Sequence, residues 1–243
     1  MIVTNCSWEL ENLDSSVVEI YISAAEDINV KKIQDVESQF EYVVIKIESG
    51  NMHHTAIMTQ LGYTLAETQM SLNKPYAEWQ INEDKLTSTL LSQMKVEQIK
   101  SDEDLQELLS LMTDNMFSTD RIYLDPLFGP KYSARRYRNW TVSEFKKGAL
   151  LYKHYFRGQY VGFSLCKREE EKLHCLLAGN FEQYQNTGIG FWIPLIPLLY
   201  PDAQHKNYVT SISTNNYPVW QMYNRHHYTV TRFDYVFIKH IKY

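Results

Sequence analysis

The stretch that most constrains this chain joins an apolar run to a turn with two glycines. Residues 173–178 are apolar apart from His174, and Gln185-Asn-Thr-Gly188-Ile-Gly190 follows shortly after. This order predicts a strand, a turn and the start of a helix. Glycine lets an anionic group approach the main chain, and the first N–H groups of a helix have no internal partner. A phosphate is therefore the expected ligand of this turn, and a plain helix-entry turn is the alternative.

Length, charge and cysteine content limit the classes of function. The 243 residues suffice for one large domain or two small ones. A net charge of −5 argues against nucleic acid, because a phosphate backbone needs a basic protein face. The three cysteines have no paired spacing, and neither a signal peptide nor a run of about 20 apolar residues is recognisable. We therefore predict a cytoplasmic protein that binds neither nucleic acid nor a membrane.

The spacing of apolar residues predicts alternating strands and helices. In the first third, strands are predicted at 17–23, 42–47 and 63–72, and helices at 30–40 and 51–61. Residues 73–78 are polar, contain Pro75 and form the candidate linker. Later helices are predicted at 86–91, 102–116, 131–146 and 216–226, later strands at 96–99, 149–156, 160–167, 173–178 and 208–213, and a final strand pair within 228–239. A weak internal repeat relates residues 41–72 to residues 208–239.

The glycine turn resembles the acyl-CoA pyrophosphate loop of the GNAT N-acetyltransferase superfamily, whose pattern is Gln/Arg-x-x-Gly-x-Gly/Ala. Downstream, Asn216 is followed seven residues later by Tyr223, which is similar to the closing motif of that superfamily. The resemblance implies an α/β (α+β) GNAT fold in residues 94–243, with a mixed, mostly antiparallel central sheet and flanking helices. Residues 1–75 are similar to a degenerate half of the same fold, and residues 76–93 are expected to form a linker and a short helix.

A narrower resemblance rests on residues 117–126 and on Tyr137-Arg-Asn-Trp140. Both segments look like those of sugar-nucleotide N-acyltransferases, the group similar to dTDP-fucosamine acetyltransferase. This implies transfer of an acyl group, acetyl or a larger one such as hydroxybutyryl, from acyl-CoA to the amine of a dTDP- or UDP-linked amino sugar in polysaccharide biosynthesis. Two alternatives stay open: a GNAT enzyme acting on another amine or a peptide, and a non-enzymatic acyl-CoA-binding domain. A homodimer is compatible with the sequence.

The resemblance assigns Tyr223 a catalytic role beside the departing thiolate. Reference pKa values near 10 for tyrosine and near 8.5 for a thiol place complete proton transfer about 2 kcal/mol uphill, which favours a hydrogen bond instead. Tyr223 also fits a core position, since the chain has 18 tyrosines. Asn216 is expected to bind the pantetheine amide, to cap the final helix, or both. The residues implied to hold acyl-CoA are Leu176, Leu177, Ala178, Gly179, Gln185, Asn186, Thr187, Gly188, Ile189, Gly190, Asn216 and Tyr223.

The acceptor site and the general base are less well defined. Asp125, His174 and Glu182 are candidate bases by residue type, and a water chain is an alternative. His174 lies on an apolar strand, as core histidines do, and the basic and aromatic residues near Trp140 fit either nucleobase stacking or a solvated helix face. His226-His227 lacks metal-site spacing, so no metal is predicted. The residues implied to bind the acceptor are Arg121, Tyr123, Asp125, Tyr137, Trp140 and His174.

Three features depart from the pattern of the superfamily. Pro194 and Pro197 fall within the helix expected after the glycine turn, and an internal proline costs about 3 kcal/mol, so this helix should be kinked or short. One extra residue before Gln185 predicts a β-bulge at Gly179. His227-Tyr228 stands where the superfamily usually has Gly-Phe. None of these departures removes a candidate catalytic group.

Overall fold

The chain folds around one ten-stranded sheet. The computed structural model describes residues 1–78, 85–200 and 205–241. The strands are β1 (Ile2–Asn5), β2 (Val17–Ile22), β3 (Tyr42–Glu48), β4 (Thr64–Pro75), β5 (Met94–Gln98), β6 (Leu150–Phe156), β7 (Gln159–Glu169), β8 (Lys172–Asn180), β9 (Asn207–Ser213) and β10 (Thr229–His240). The α-helices are α1 (Glu9–Leu13), α2 (Val30–Glu37), α3 (Met52–Gln60), α4 (Lys85–Leu91), α5 (Asp102–Leu111), α6 (Arg121–Leu124), α7 (Pro130–Lys146), α8 (Ile196–Leu199) and α9 (Tyr217–Arg225). Short 3-10 helices span Tyr76–Glu78, Glu182–Tyr184 and Ile189–Leu195.

The strands are ordered β1-β2-β3-β10-β4-β9-β8-β7-β6-β5 across the sheet. β2 runs parallel to β3 and β8 runs parallel to β9, whereas the other neighbouring pairs of the described strands are antiparallel. Helices pack on both faces of this sheet. The predicted fold class, a mixed and mostly antiparallel sheet with flanking helices, is confirmed.

Two β-α-β units of equal size meet at the centre of the sheet. The first unit is β3-α3-β4, at residues 42–75, and the second is β9-α9-β10, at residues 207–240. Each strand and helix of the second unit begins and ends 165 residues after its counterpart in the first. β10 lies between β3 and β4, and β4 lies between β10 and β9. Each unit therefore places its last strand inside the other unit. The weak repeat in the sequence is a repeat of the structure.

The end of the chain differs from the predicted strand pair within residues 228–239. β10 is a single strand of 12 residues, and it pairs with β3 on one side and with β4 on the other. A second C-terminal strand is not needed, because β4 from the first unit already occupies the neighbouring position. The prediction of two strands was therefore wrong.

The candidate linker at residues 73–78 lies mostly within the sheet. Asn73, Lys74 and Pro75 are the last residues of β4 and pair with residues 207–209 of β9. Proline is tolerated there because its missing N–H falls at the end of a strand. Only the 3-10 helix Tyr76–Glu78 leaves the sheet, and residues 79–84 of the predicted connection lie outside the described residues. The division of the chain at residue 75 stays a prediction.

Alternating side chains of the strands point to two covered faces. The face covered by α1, α5, α6 and α7 is named here the α7 face. The opposite face, covered by α2, α3, α9 and the 3-10 helix Ile189–Leu195, is named the α9 face. On β3, Val44 belongs to the same core cluster as Ile122 of α6, whereas Ile45 belongs to that of Ile33 of α2. Because successive side chains of a strand point to opposite faces, β3 contributes to the core on both faces of the sheet.

A buried histidine lies in the core on the α9 face. His154 of β6 is 0% exposed, and its ring stacks on Trp192 with the ring centroids 4.0 Å apart. Its Nε2 is 2.6 Å from Ser164 Oγ, and that hydroxyl is 2.7 Å from the hydroxyl of Tyr200. Burial disfavours the charged imidazole and lowers the pKa of His154 to about 3. The folded chain therefore holds this side chain neutral.

We expect His154 to make the stability of the protein fall in mild acid. The unfolded imidazole takes up a proton near pH 6.5 and the folded one only near pH 3, so unfolding binds a proton between these values. The free energy of unfolding should then fall by about 2 kcal/mol between pH 7 and pH 5 through this group alone. Urea unfolding at both pH values should show that loss in the wild type and not in His154→Phe. The exposed His53→Gln should retain it, and equal pH dependence in all three proteins would contradict the assignment.

Candidate functional site

The sheet parts between β8 and β9. The two strands pair only between residues 172–175 and residues 207–210. Residues 177–180 of β8 then pair with β7 alone, and residues 211–213 of β9 pair with β4 alone. The edges that face each other across the opening therefore carry main-chain groups without strand partners, which an extended ligand can use. The opening is accompanied by a bulge at Leu176, so the bulge predicted at Gly179 was misplaced.

The equivalent place in the N-terminal half is closed. β2 pairs with β3 along its whole length, Val17–Ile22. The main-chain N–H groups of Ser23 and Ala24, which follow β2, donate to the carboxylates of Glu26 and Glu48 at 3.0 and 3.1 Å. The protein's own anions thus occupy the donors at this end of the strand. Among the residues that the structure describes, the C-terminal half has an opening at this place and the N-terminal half has none.

The glycine turn supplies main-chain donors at the end of β8. Asn186 and Gly188 both have left-handed backbones, with φ of 58° and 81°. Three successive N–H groups, those of residues 186–188, have no acceptor among the described residues, whereas the N–H of Ile189 donates to Thr187 Oγ1 at 3.4 Å. Successive free N–H groups in such a conformation form an anion-binding concavity. The turn retains the donors that a phosphate would need.

The helix after this turn is shorter than the resemblance implies. A 3-10 helix spans Ile189–Leu195 and the following α8 has only four residues. Pro194 and Pro197 lack the N–H groups that a continuous α-helix would use, as the sequence predicted. A short 3-10 helix has a weaker dipole than a long α-helix, so binding of an anion by this turn would depend on its free N–H groups.

Gln185 and Gly190 have structural roles that the sequence did not show. Gln185 Nε2 donates to the carbonyl oxygens of Met116 at 2.9 Å and Asn180 at 3.4 Å, so it ties the turn to a neighbouring loop and does not cap its own turn. A Cβ on Gly190 would lie 3.1 Å from Asn180 Nδ2. A larger residue at position 190 would therefore crowd Asn180, so this glycine also has a packing role that is independent of any ligand.

Tyr223 lies where the two strands part. Its phenol lies near Tyr208, Thr210 and Cys175, and its ring packs edge-on against Tyr228 with the centroids 4.7 Å apart. Thr210 is the last residue of β9 that pairs with β8, and its Oγ1 donates to the carbonyl oxygen of Cys175 at 3.1 Å. Tyr223 is 2% exposed, and this burial raises the pKa of its phenol well above the usual range. The phenol is therefore neutral and able to donate a hydrogen bond.

Asn216 does not cap α9. It occupies the N-cap position, but its side chain makes no capping hydrogen bond, so that part of the prediction was wrong. Asn51, at the matching position of the first unit, accepts a bond from the N–H of His53 at 3.1 Å and donates to the carbonyl of Ala24 at 3.3 Å. Asn51 is committed to its own half of the fold, whereas Asn216 is not engaged by its helix.

Among the residues predicted to bind the acceptor substrate, Arg121 lies beside the centre of the sheet. Its side chain is 9% exposed on the α7 face, and its guanidinium is 4.0 Å from the carboxylate of Glu67 on β4. β4 is the neighbour of β9, which borders the opening. Tyr123, on the same helix, donates to Asn115 Oδ1 at 3.2 Å. The place of Arg121 favours its predicted role, which stays a prediction.

Asp125, Tyr137 and Trp140 make contacts within the protein. Asp125 Oδ2 is 2.8 Å from His240 Nε2. Tyr137 donates to Asp120 Oδ1 at 3.1 Å, and its ring centroid lies 4.0 Å from that of Phe117 and 6.1 Å from that of Trp140. These contacts hold α6 and α7 against their surroundings. They favour a structural role for the three residues over stacking on a nucleobase, and binding of the acceptor by them stays a prediction.

Two other candidate bases also have internal partners. Glu182 accepts from Thr113 Oγ1 at 2.7 Å and from Asn115 Nδ2 at 3.3 Å, so it anchors the loop that carries these residues. His174 pairs with β9 before the opening, and its Nδ1 is 3.9 Å from Glu169. Burial lowers the pKa of His174, an effect that outweighs the nearby carboxylate. The imidazole is therefore neutral at pH 7, the form that a general base needs.

Sequence reasoning missed a group of polar residues on the α7 face. Glu67 and Gln69 of β4 and Asp234 of β10 lie on this face, and the carboxylate of Glu67 is 4.0 Å from Arg121. Glu67 and Asp234 are both buried. The signal was the alternation of Glu67, Gln69 and Ser71 along β4, which marks a polar face in a strand whose other face is apolar.

Two further properties concern the described residues only. They contain no helix that is long and apolar enough to cross a membrane. Within the same ranges, no three or more histidine, cysteine, aspartate and glutamate side chains are grouped so that they could hold a metal ion.

The fold is similar to those of known acetyltransferases. No protein-family model and no curated protein matches the sequence. A GCN5-related N-acetyltransferase from Sphaerobacter thermophilus matches with a TM-score of 0.59 and 14% identity, over 86% of this chain and 64% of its own. A tandem GNAT protein from the clavulanic acid biosynthesis pathway matches with a TM-score of 0.52 and 8% identity, over 86% and 66%. A conserved protein of unknown function from Staphylococcus epidermidis ATCC 12228 matches with a TM-score of 0.59 and 14% identity, over 92% and 83%.

At these identities the likeness shows the fold, which is that of the GNAT N-acetyltransferases, tandem forms included. The chain spans less than two thirds of the length of the first two structures. Nothing in these likenesses bears on a nucleotide-linked amino sugar.

Proposed function

We propose that this chain is an acyl-CoA-dependent N-acyltransferase. The observation that carries the proposal is the parting of β8 from β9, with free main-chain donors at residues 186–188 near one end and the phenol of Tyr223 at the other. An extended acyl-CoA fits such an opening. Its diphosphate would meet the free N–H groups, its pantetheine arm would pair with the exposed edge at residues 176–179, and the side chain of Asn216 would bind an amide of that arm.

The reaction we propose is direct attack of an amine on the thioester. The neutral amine nitrogen forms a bond to the acyl carbon, the carbon–sulfur bond breaks, and the electron pair leaves on sulfur. The proton lost by nitrogen passes to a base, for which the neutral imidazole of His174 and a water chain are candidates. The amide product and free CoA account for all atoms and charges.

Tyr223 would act on the sulfur. Because burial raises the pKa of its phenol, complete transfer of its proton to a thiolate is even less favourable than the reference values imply. A hydrogen bond that strengthens as negative charge develops on sulfur is the role that this environment supports.

We propose, as the finer assignment, that the acceptor is a nucleotide-linked amino sugar and that the acyl group is acetyl or a larger hydroxyacyl group. The resemblance of residues 117–126 and the position of Arg121 beside Glu67 of β4, the strand that pairs with β9, support this assignment. A screen of acyl-CoAs against dTDP- and UDP-linked amino sugars, followed by free-thiol release, tests it. If the protein turns over other amines but no nucleotide-linked amino sugar, the proposed acceptor class is wrong. If it binds CoA but releases no thiol with any amine, the chain is a non-enzymatic acyl-CoA-binding domain.

We expect Tyr223→Phe to slow turnover about a hundredfold or more while the Kd for CoA changes little, because only the hydrogen bond to the departing sulfur is lost. Free-thiol release measures the rate and calorimetry measures the Kd. Tyr63→Phe is the matched control, since Tyr63 is also a buried tyrosine and donates to Glu37 at 2.8 Å. Equal rates in Tyr223→Phe and Tyr63→Phe would reject the role of Tyr223.

We expect Gly188→Ala to weaken acyl-CoA binding about fivefold. A left-handed backbone costs an alanine about 1 kcal/mol, so the free loop would leave this conformation and the ligand would have to restore it. Gly62→Ala is the matched control, because Gly62 has φ of 80° against 81° for Gly188 and both have open space where a Cβ would stand. Calorimetry with CoA compares the two. A similar loss of affinity in both variants would mean that residue 188 has no special role in the site.

A further inference from the structure

Four polar side chains form a row on the α7 face at the centre of the sheet. Asp234 of β10 lies directly opposite Gln69 of β4, and Gln69 lies directly opposite Ser213 of β9. Gln69 Nε2 donates to Glu67 Oε1 at 3.2 Å, and Arg121 is 4.0 Å from the same carboxylate. Asp234, Gln69, Glu67 and Arg121 are named here the polar row.

The polar row ends beside the opening of the sheet. Ser213 belongs to the part of β9 that no longer pairs with β8. Neighbouring strands are about 4.8 Å apart, which places Gln69 one strand and Asp234 about 10 Å from β9. A molecule of the size of a sugar ring that reaches the opening from the α7 face would therefore contact this row.

Two atoms of the polar row lack partners although they are buried. The side chain of Asp234 is 4% exposed; its Oδ2 accepts from Arg232 Nε at 2.9 Å, but its Oδ1 has no hydrogen-bond partner. The side chain of Arg121 is 9% exposed, and its Nε also has none. An unpaired buried charged group is costly and calls for an explanation. A bound ligand that accepts from Arg121 and donates to Asp234 supplies one.

The charges of the row indicate what kind of ligand fits. Each carboxylate already has a cation close by, Arg232 for Asp234 and Arg121 for Glu67. A cationic ligand would meet the two guanidinium groups, and an anionic one would meet the two carboxylates. A hydroxyl group can donate one hydrogen bond and accept others, so neighbouring hydroxyls can satisfy Asp234 Oδ1 and Arg121 Nε without adding charge.

We infer that the polar row is the acceptor subsite and that it binds the hydroxyl groups of an amine of the amino-sugar class. This inference rests on the proposed function, because the opening supplies the acyl donor. It assigns β4, from the N-terminal half, a part in substrate recognition by the C-terminal half. The exchange of strands β4 and β10 brings Glu67 and Gln69 to this place.

The test uses D-glucosamine and its hydroxyl-free counterpart cyclohexylamine, each with acetyl-CoA, and every kcat/KM and KM is expressed per concentration of the neutral amine, because the two amines differ in pKa. We expect kcat/KM for glucosamine to exceed that for cyclohexylamine at least tenfold in the wild type. Asp234→Ala and Arg121→Gln should raise the KM for glucosamine at least tenfold, bring the ratio between the two amines close to one, and leave the Kd for CoA unchanged. Asp104→Asn is the control. Asp104 lies on α5, outside the polar row, and its carboxylate pairs with Lys153 at 2.6 Å. Thermal midpoints show which variants fold, and Gln69→Leu replaces any that do not.

Saturation-transfer NMR with glucosamine and CoA gives a second readout that needs no turnover. Binding that is lost in Asp234→Ala supports the subsite even if no thiol is released, in which case the proposed function fails and the subsite stands. Wild-type preference for cyclohexylamine, or an unchanged ratio between the two amines in both variants, would overturn the inference while leaving the acyltransferase activity intact. Absence of glucosamine binding in the wild type would also overturn it.

Discussion

The exchange of strands between the two β-α-β units is the constraint on which the site depends. β10 pairs with β3 and β4 at the same time, so neither half can move without breaking a ladder of main-chain hydrogen bonds. This pairing holds the end of α9, and with it Tyr223, at a set height relative to β8 and β9. The opening between these strands thus lies beside a sheet in which β4 is paired on both sides, with β10 and with β9.

The two halves share one plan and differ in a few residues. In the N-terminal half β2 and β3 stay paired, Glu26 and Glu48 occupy the main-chain donors after β2, and Met58 stands at the position that matches Tyr223. In the C-terminal half the bulge at Leu176 accompanies the parting of the strands. In the N-terminal half, carboxylates accept hydrogen bonds from the main-chain N–H groups after β2, so these groups are not available to another anion. In the C-terminal half, the turn with two glycines leaves its main-chain N–H groups free. The same backbone architecture thus yields one structural copy and one candidate binding copy.

The candidate site works with neutral groups. No charged residue lies within residues 185–190, so a diphosphate would be held by main-chain N–H groups. The phenol of Tyr223 is kept neutral by burial, and so is the imidazole of His174. Paired charges enter only at the polar row, where each carboxylate has a guanidinium beside it. Such an arrangement favours hydrogen bonding to an uncharged part of the acceptor over attraction of an ion.

The sequence by itself determined what depends on neighbours along the chain. The periodicity of residues 17–23 and 51–61 predicted β2 and α3, the prolines predicted a short helix after the glycine turn, and the repeat of residues 41–72 was visible. Tertiary structure decided what depends on partners far away in the chain. Pairing with β9 drew residues 73–75 into a strand, insertion between β3 and β4 made β10 a single strand, and the bulge fell at Leu176. Contacts with His240 and Phe117 gave Asp125 and Tyr137 internal partners, while Gln69 and Asp234 met across a register that no local pattern contains. Local propensity acts over a few residues, whereas register and burial are set by the whole sheet at once.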